Sequence, residues 1–419
     1  MRILVLGSGG REHALAWKIK QSPMCTKLFI APGNGGTQLE GENVDLDILD
    51  FKNVQEFIEK ENITLLVVGP EIPLVAGITD AMAGIPDLVV IGPNKNGAML
   101  EGSKKFAKEF MIRQGIPTAG YLEVEKSNID EAYKHIDDST TPIVLKADGL
   151  AAGKGVLILE DKNEAKIQLK ELLDGRFGEA SETVIIEEFL SGLEFSVFAL
   201  TDGKEYVLLP NAKDYKRIGE GDTGLNTGGM GAISPAPFVD EKLMEKVIRK
   251  VVDPTIAGFE KENIHYQGFV FFGLIEVGGE PYVIEYNCRL GDPETEVILP
   301  RINSDLLELF IAIKTNTLSN YDLQISKDYC ATVVLASGGY PEKYKKNLEI
   351  SNFETIDGSI IFHAGTKKEG SLKSSGGRVM MVSSLDSNLR EALAKTYHTA
   401  NQISFENKYF RKDIGYEFL

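Results

Sequence analysis

Four short apolar runs in the first hundred residues, RILVLG, KLFIAPG, TLLVVGPE and LVVIGPN, are rich in β-formers, and each is closed by Gly or Pro. Helix-like stretches such as REHALAWKIKQ separate them. Near-continuous apolar strands alternating with helices are the pattern of a parallel sheet covered on both faces. The chain is therefore expected to open with a parallel-sheet, Rossmann-like α/β domain over residues 1–102. The Gly- or Pro-containing exits should lie along the one rim where such sheets bind ligands. At the first exit, Gly7-Ser8-Gly9-Gly10, Glu12 stands where a dinucleotide fingerprint has its third glycine. That leaves two readings: a helix N-terminus whose free N–H groups receive an anion, or a tight turn at a sheet edge.

From about residue 103 the texture changes. SKKFAKEFMIRQG has an N-cap serine, helical spacing and a glycine stop, and reads as a helix. Strand-like PIVLKA and GVLILE then flank the glycine-rich stretch LKADGLAAGKGVLIL at 145–159. Glycines around a lysine let backbone N–H groups approach phosphate oxygens. A Walker A loop needs four residues before Gly-Lys and a hydroxyl after it, whereas three separate Gly149 from Gly153, and Gly155 follows Lys154. The stretch thus reads as a strand-to-strand flap with Lys146 and Lys154 in reach of phosphates, or as a glycine hairpin with solvated lysines.

Further on, Glu187 and Glu188 close an apolar strand and Glu194 opens the next. Such carboxylates suit an adenine amino group and ribose hydroxyls, although solvated strand ends look the same. Residues 211–237 are polar, lack periodicity and read as a long functional loop, and 240–263 read as helical. GFVFFGLIEVGGEPYVIEYN reads as a hairpin turning at Gly278-Gly279. On its second strand Glu285 and Asn287 stand two apart and face the same side. They offer two hard oxygens to Mg²⁺, and Arg289 continues the alternation. Residues 326–419, with CATVVLAS, SIIFHAG, GRVMMVSSL and the helix-like NLREALAKTYHTANQI, read as a small α+β unit.

A net charge of −17 argues against nucleic acid, whose binding rests on basic faces; anionic small substrates then depend on locally gathered cations. Cys25, Cys288 and Cys330 are scattered without metal-type spacing and suit a reducing compartment. The N-terminus lacks the apolar run of a signal peptide, and no stretch approaches the roughly 20 apolar residues of a membrane span. The expectation is a cytoplasmic chain, monomeric, acting on small molecules with neither nucleic acid nor membrane as partner.

Lys104, Lys146, the flap at 148–155, Glu187-Glu188 with Glu194, and Glu285-x-Asn287 occur in the order of the ATP-grasp ligases, which this chain resembles. GSGGREHALAWKI, APGNGGT, LEGSKKFAK, KADGLAAGKGV, DTGLNTGGMGAISPAP and IEYNCRLGDPETE narrow the resemblance to the phosphoribosylamine–glycine ligases (glycinamide ribonucleotide synthetases) of purine biosynthesis. The resemblance implies ATP-dependent joining of glycine to 5-phosphoribosylamine through an acyl phosphate, in de novo purine synthesis. It also implies an ATP-grasp α+β domain at 103–325 with a mobile flap at about 121–189 that excludes water, and a C-terminal α+β domain at 326–419.

On that resemblance the nucleotide falls to Lys104, Lys146, Gly149, Gly153, Lys154, Glu187, Glu188, Leu190 and Glu194, and Mg²⁺ or Mn²⁺ to Glu285 and Asn287. Glycine and its acyl phosphate fall to Asp214, Arg289 and Gly291, and phosphoribosylamine to Gly10, Gly33, Asn34 and Glu71. No covalent nucleophile is expected. Two departures stand out. Lys213 and Tyr215 replace the Gln and His of the family's Gln-Asp-His-Lys-Arg segment, and Gly273 stands where many relatives place a further carboxylate. The alternatives are another ATP-grasp carboxylate–amine ligase or carboxylase of purine metabolism, a nicotinamide-dependent oxidoreductase, and a non-catalytic nucleotide sensor. The broken fingerprint disfavours the oxidoreductase, and a sensor has no need of both phosphate lysines and a metal pair.

Overall fold

The computed structural model describes residues 1–151, 155–353 and 358–419. Its first sheet is parallel throughout, with Arg2–Gly7 at the centre, Lys27–Pro32 and Glu42–Asn43 on one side, and Leu65–Val68 and Val89–Ile91 on the other. All four apolar runs form strands. Successive strands depart in opposite directions from the central one, so the crevice at their carboxyl ends is the natural binding place. The helix Gly10–Lys20 starts there.

Lys104–Gln114 is a helix capped by Ser103, whose Oγ accepts from Phe106 N, and stopped by Gly115 in the left-handed region. An antiparallel sheet follows, ordered Tyr121–Val124, Val184–Glu188, Ile143–Ala147, Val156–Leu159. Lys146 pairs with Val156 across the glycine-rich stretch, which therefore joins two strands. Ile129–Asp138 and Lys162–Leu173 share one apolar core with this sheet, where Ala132, Ile136, Leu169 and Leu172 meet Leu145 and Ile186.

The central sheet is ordered Tyr206–Leu208, Leu193–Thr201, Gly268–Val277, Glu280–Asn287. Its hairpin turns at Gly278 and Gly279, both at positive φ (59° and 82°), a conformation glycine adopts without a Cβ penalty. A register shift falls between Gly273 and Leu274, which pair with Glu285 and Val283. Ile284 is the extra residue, and the bulge re-aims the strand from Glu285 onward.

The last sheet is ordered Lys213–Asp214, Gly231–Ser234, Tyr329–Ala336, Arg378–Asp386, Ile360–His363, with the helix Leu389–Gln402 packed on it. Here the expectation of a loop at 211–237 needs correction. The stretch supplies two strands to this sheet and a hairpin of its own, Arg217–Gly219 with Thr223–Asn226. Strands of two to four residues are too short for a period of two to register, and one of them, Gly231–Ser234, pairs with Tyr329–Ala336, about a hundred residues away in sequence. No helix among the described residues is long and apolar enough to cross a membrane.

Gly192 joins the flap sheet to the central sheet, and a Cβ there would lie 1.8 Å from the Glu276 carbonyl oxygen. Gly192→Ala is expected to cost about 1–3 kcal/mol through overpacking, seen as a lower urea midpoint. Gly84→Ala, where a Cβ meets nothing within 4 Å, should leave the midpoint unchanged. Equal midpoints for the two variants would contradict the packing.

Candidate active site

The glycine-rich stretch is anchored at its start by Asp148, whose Oδ1 accepts from Lys105 N (2.7 Å) and Ser103 Oγ (3.0 Å) at the start of the helix Lys104–Gln114. Lys104 Nζ donates to the carbonyls of Asp148 and Gly149, each at 3.3 Å. Lys146 Nζ sits 2.8 Å from Glu187 Oε2 and donates to the Ile284 carbonyl at 3.3 Å. Lys108, one turn along the same helix from Lys104, takes the other oxygen, Glu187 Oε1, at 3.3 Å and donates to Thr118 Oγ1 at 2.7 Å. Lys146, Lys108 and Glu187 are all buried.

Burial pushes the Lys108 ammonium down to about 8 against the pull of Glu187. Burial and the like charge of Lys146 also lower Lys104, while Glu285 opposes them. Three lysines and a metal-type carboxylate thus face a shared space between the flap sheet and the central hairpin. Lys108 was not anticipated from the sequence, though its spacing of four from Lys104 puts both on one helix face.

Other nucleotide-site expectations fare differently. Glu187 is held between two lysines, so its carboxylate is already engaged. Glu188 beside it is exposed, and Leu190 is half-buried. Gly149 is in place, its N–H donating to the Ala180 carbonyl at 3.0 Å. Gly153 and Lys154 lie outside the described residues.

Glu194, Ser196, Asp214, Lys216, Gly273 and Glu285 line a narrow pocket beside this space. Lys216 Nζ lies 2.8 Å from Glu194 Oε2 and 3.7 Å from Asp214 Oδ1. Burial raises Asp214, Glu194 and Glu285 add like-charge repulsion, and Lys216 opposes. A Cβ at Gly273 would stand 2.9 Å from Glu285 Cγ, so the glycine there makes the room that the Glu285 carboxylate occupies. Among the described residues no group of three or more His, Cys, Asp and Glu gathers to hold a metal ion. The donor set is the Glu285 carboxylate with the Asn287 amide on the same strand face. Two hard oxygens and that cradle fit an ion such as Mg²⁺, which keeps waters and shares phosphates.

Arg289 leads to a second, larger cavity. Its Nη2 lies 2.6 Å from Glu101 Oε1, and its Nε lies 3.5 Å from Glu71 Oε2. Burial works against the Glu71 charge, but Arg289 and Arg11 outweigh it and lower the carboxyl. The cavity, of about 600 Å³, lies on the carboxyl rim of the parallel sheet and is lined by Ser8, Gly9, Arg11, Asp47, Glu71 and Asp292 among others.

Of the N-terminal residues expected here, Glu71 lines the cavity and the other three shape its support. Gly10 faces away, since a Cβ there would meet Glu296 Oε1 at 2.4 Å. Gly33 turns at φ +72°. Asn34 spends its amide on backbone, donating to Ser8 O and His363 O and accepting from Gly36 N and Thr37 N. The broken fingerprint also finds its reason. Glu12 accepts from Gly9 N at 2.6 Å, and a Cβ on Gly7 or Gly69 would collide with it. The helix start is thus capped from within by a carboxylate that also pairs with Arg11 at 2.6 Å.

A family model described as the phosphoribosylglycinamide synthetase N domain matches residues 1–101. The ATP-grasp (A) domain model of the same family matches 102–295, and its C domain model matches 330–417. A phosphoribosylamine–glycine ligase of Chlorobaculum tepidum is 46% identical over 429 residues, covering 100% of each chain. A bifunctional purine biosynthetic protein of Pichia angusta is 46% identical over 99% of this chain, which spans 54% of that relative's length. Among solved structures, a phosphoribosylamine–glycine ligase of Thermotoga maritima aligns with a TM-score of 0.85 at 36% identity, over 99% of this chain and 100% of its own.

Gly291, expected near the acyl phosphate, makes room for Glu294, whose Oε2 would lie 2.4 Å from a Cβ there. Glu294 is buried and accepts from Ser196 Oγ at 3.2 Å. Burial, helped by Asp214, pushes its carboxyl up to about 7. The folded state therefore keeps a proton that the unfolded chain loses near pH 4.3, so this carboxyl's contribution to stability falls as pH rises from about 4.3 to about 7. Urea unfolding at pH 5 and pH 7 should show the wild type losing more stability over that interval than Glu294→Gln. Equal losses would contradict the buried, protonated carboxyl.

Proposed function

The chain belongs to the phosphoribosylglycinamide synthetase family and is an ATP-dependent ligase of purine biosynthesis, and on that premise we propose how its residues divide the reaction. The substrates are ATP, glycine and 5-phosphoribosylamine. A glycine carboxylate oxygen attacks the γ-phosphorus of ATP and ADP leaves, giving glycyl phosphate. The amine of phosphoribosylamine then attacks the acyl carbon, phosphate leaves, and the amine gives up its proton as the amide of glycinamide ribonucleotide forms.

The observation that carries this reading is the convergence of Lys104, Lys146 and Glu285 between the flap sheet and the hairpin, beside Arg289 and the 600 Å³ cavity. Phosphoryl transfer rests on positioning and charge neutralisation, and Lys104 and Lys146 supply fixed positive charge for the nucleotide phosphates. Gly149, Glu188, Leu190 and Glu194 frame the rest of the nucleotide. Glu285 and Asn287 would hold Mg²⁺ or Mn²⁺, which would supply positive charge to neutralise the phosphates.

Asp214 meets the glycine ammonium and Arg289 the carboxylate, with Gly291, which makes room for Glu294, bordering the acyl phosphate. The larger cavity takes the ribose phosphate, with Glu71 and the turn at Gly10, Gly33 and Asn34 giving it shape. A covalent enzyme intermediate is unnecessary, because ATP itself activates the carboxylate. The chain works as a cytoplasmic monomer on small molecules in this reading.

ADP release measured with glycine and phosphoribosylamine together, then with each omitted, tests the reaction: turnover should need both. ADP formed equally without either would contradict it. Lys146→Ala should lower kcat/KM by about 10²–10³, the scale of losing one preorganised electrostatic contact, with its circular dichroism unchanged. Glu285→Ala should abolish the response of turnover to added Mg²⁺. Near-wild-type behaviour of either variant would remove that residue from its role.

A further inference from the structure

Asp214 and Lys216 reach the narrow pocket from one side of a strand whose other side carries Lys213 and Tyr215, the alternation a strand imposes. Lys213 and Tyr215 are also the two positions at which this segment departs from the pattern the chain otherwise resembles. Both converge on one residue at the far end of the sequence. Tyr215 Oη donates to Glu417 Oε2 at 2.8 Å, and Lys213 Nζ lies 3.5 Å from Glu417 Oε1. The Tyr215 ring is 1% exposed and lies between two cations, Lys213 Nζ at 5.1 Å and the Arg411 guanidinium at 5.3 Å from its centroid.

Arg411 is itself fully buried. It bonds the Arg217 carbonyl at 3.2 Å and Asp222 at 2.6 Å, while Asp413 Oδ2 accepts from Gly221 N at 2.7 Å. The chain end therefore grips both the strand that carries Asp214 and the hairpin that follows it. In the sheet that strand is only Lys213–Asp214 and has one sheet partner, Gly231–Ser234. Backbone bonds set the path of the segment, with Tyr215 bonded to Gly231 and Met230 and Ala212 to Ser196, and the side chains behind it set how its face toward the pocket is held.

We infer that Glu417 is a positioning residue: by holding Lys213 and Tyr215 from behind, it sets Asp214 and Lys216 at the pocket and so tunes the site for the amino acid substrate. The inference rests on the reading that Asp214 meets the glycine ammonium. Removing the carboxylate leaves a buried ammonium and a buried hydroxyl without their partner, and the strand must shift to satisfy them.

The test measures KM for glycine, ATP and phosphoribosylamine separately, with kcat, in Glu417→Ala, Glu417→Gln, Tyr215→Phe and Asp214→Ala. Glu417→Ala should raise the glycine KM about tenfold, the scale of one lost hydrogen bond to a charged group. KM for the other two substrates, and kcat, should change far less, a split that a general loss of fold does not produce. Glu417→Gln, which keeps an acceptor for Tyr215 Oη, should recover most of the loss, and Tyr215→Phe should raise the glycine KM by a smaller factor.

An unchanged glycine KM in Asp214→Ala would overturn the reading of the pocket, and this inference with it. An effect in Asp214→Ala with none in either Glu417→Ala or Tyr215→Phe would overturn the inference alone. A fall in every parameter of Glu417→Ala alongside an unaltered Tyr215→Phe would overturn it as well, since the role would then be stability.

Discussion

Lys146 is a buried ammonium, and a buried charge persists only beside a partner that cannot leave. Glu187 is that partner, and Lys108 holds Glu187 in turn. The triad spans the flap sheet and the helix Lys104–Gln114, and Lys146 continues to the Ile284 carbonyl at the bulge of the central hairpin. Three separate elements are thereby locked at one point, where the proposed reaction places the nucleotide phosphates. Replacing such a group with apolar side chains would cost the fold little, so its value lies in where it puts positive charge.

The same device recurs around the site and answers the difficulty set by a net charge of −17. Arg11 is paired with Glu12, Arg289 with Glu101 and Glu71, and Lys216 with Glu194 and Asp214. Each cation is fixed by a neighbouring carboxylate, so in the proposed reaction anionic substrates would meet charges already in place. Such preorganisation is what phosphoryl transfer asks of a protein. Asp214, Glu294 and Glu296 hold their protons more tightly, first because they are buried and then because other carboxylates lie near them.

Much of this was legible in the sequence, and the reasons are local. The apolar runs of the parallel sheet, the Ser103 cap with its Gly115 stop, the Gly278-Gly279 turn and the Glu285-x-Asn287 face are each determined within a few residues. What escaped depends on distant partners. Within 211–237 the strand Gly231–Ser234 is held by Tyr329–Ala336 and in turn holds Lys213–Asp214, and the hairpin Thr366–Glu369 with Ser371–Ser374 carries only a weak periodicity. The engagement of Glu187 by Lys108 and Lys146 joins residues that are distant in sequence. The Asn34 amide donates to the Ser8 and His363 carbonyls, the second more than three hundred residues away in sequence. Lys108 is within reach of the sequence, since a lysine four residues from Lys104 shares its helix face.

In the proposed reaction the fixed charges around Lys146 and Glu285 serve to transfer a phosphoryl group onto a carboxylate. Glycine labelled with ¹⁸O in its carboxylate tests this most directly, with the inorganic phosphate analysed by mass spectrometry after turnover with ATP and phosphoribosylamine. One labelled oxygen should appear in each phosphate released, because the acyl phosphate loses its bridging carboxylate oxygen when the amine attacks. Phosphate free of label, formed while glycinamide ribonucleotide accumulates, would contradict the account.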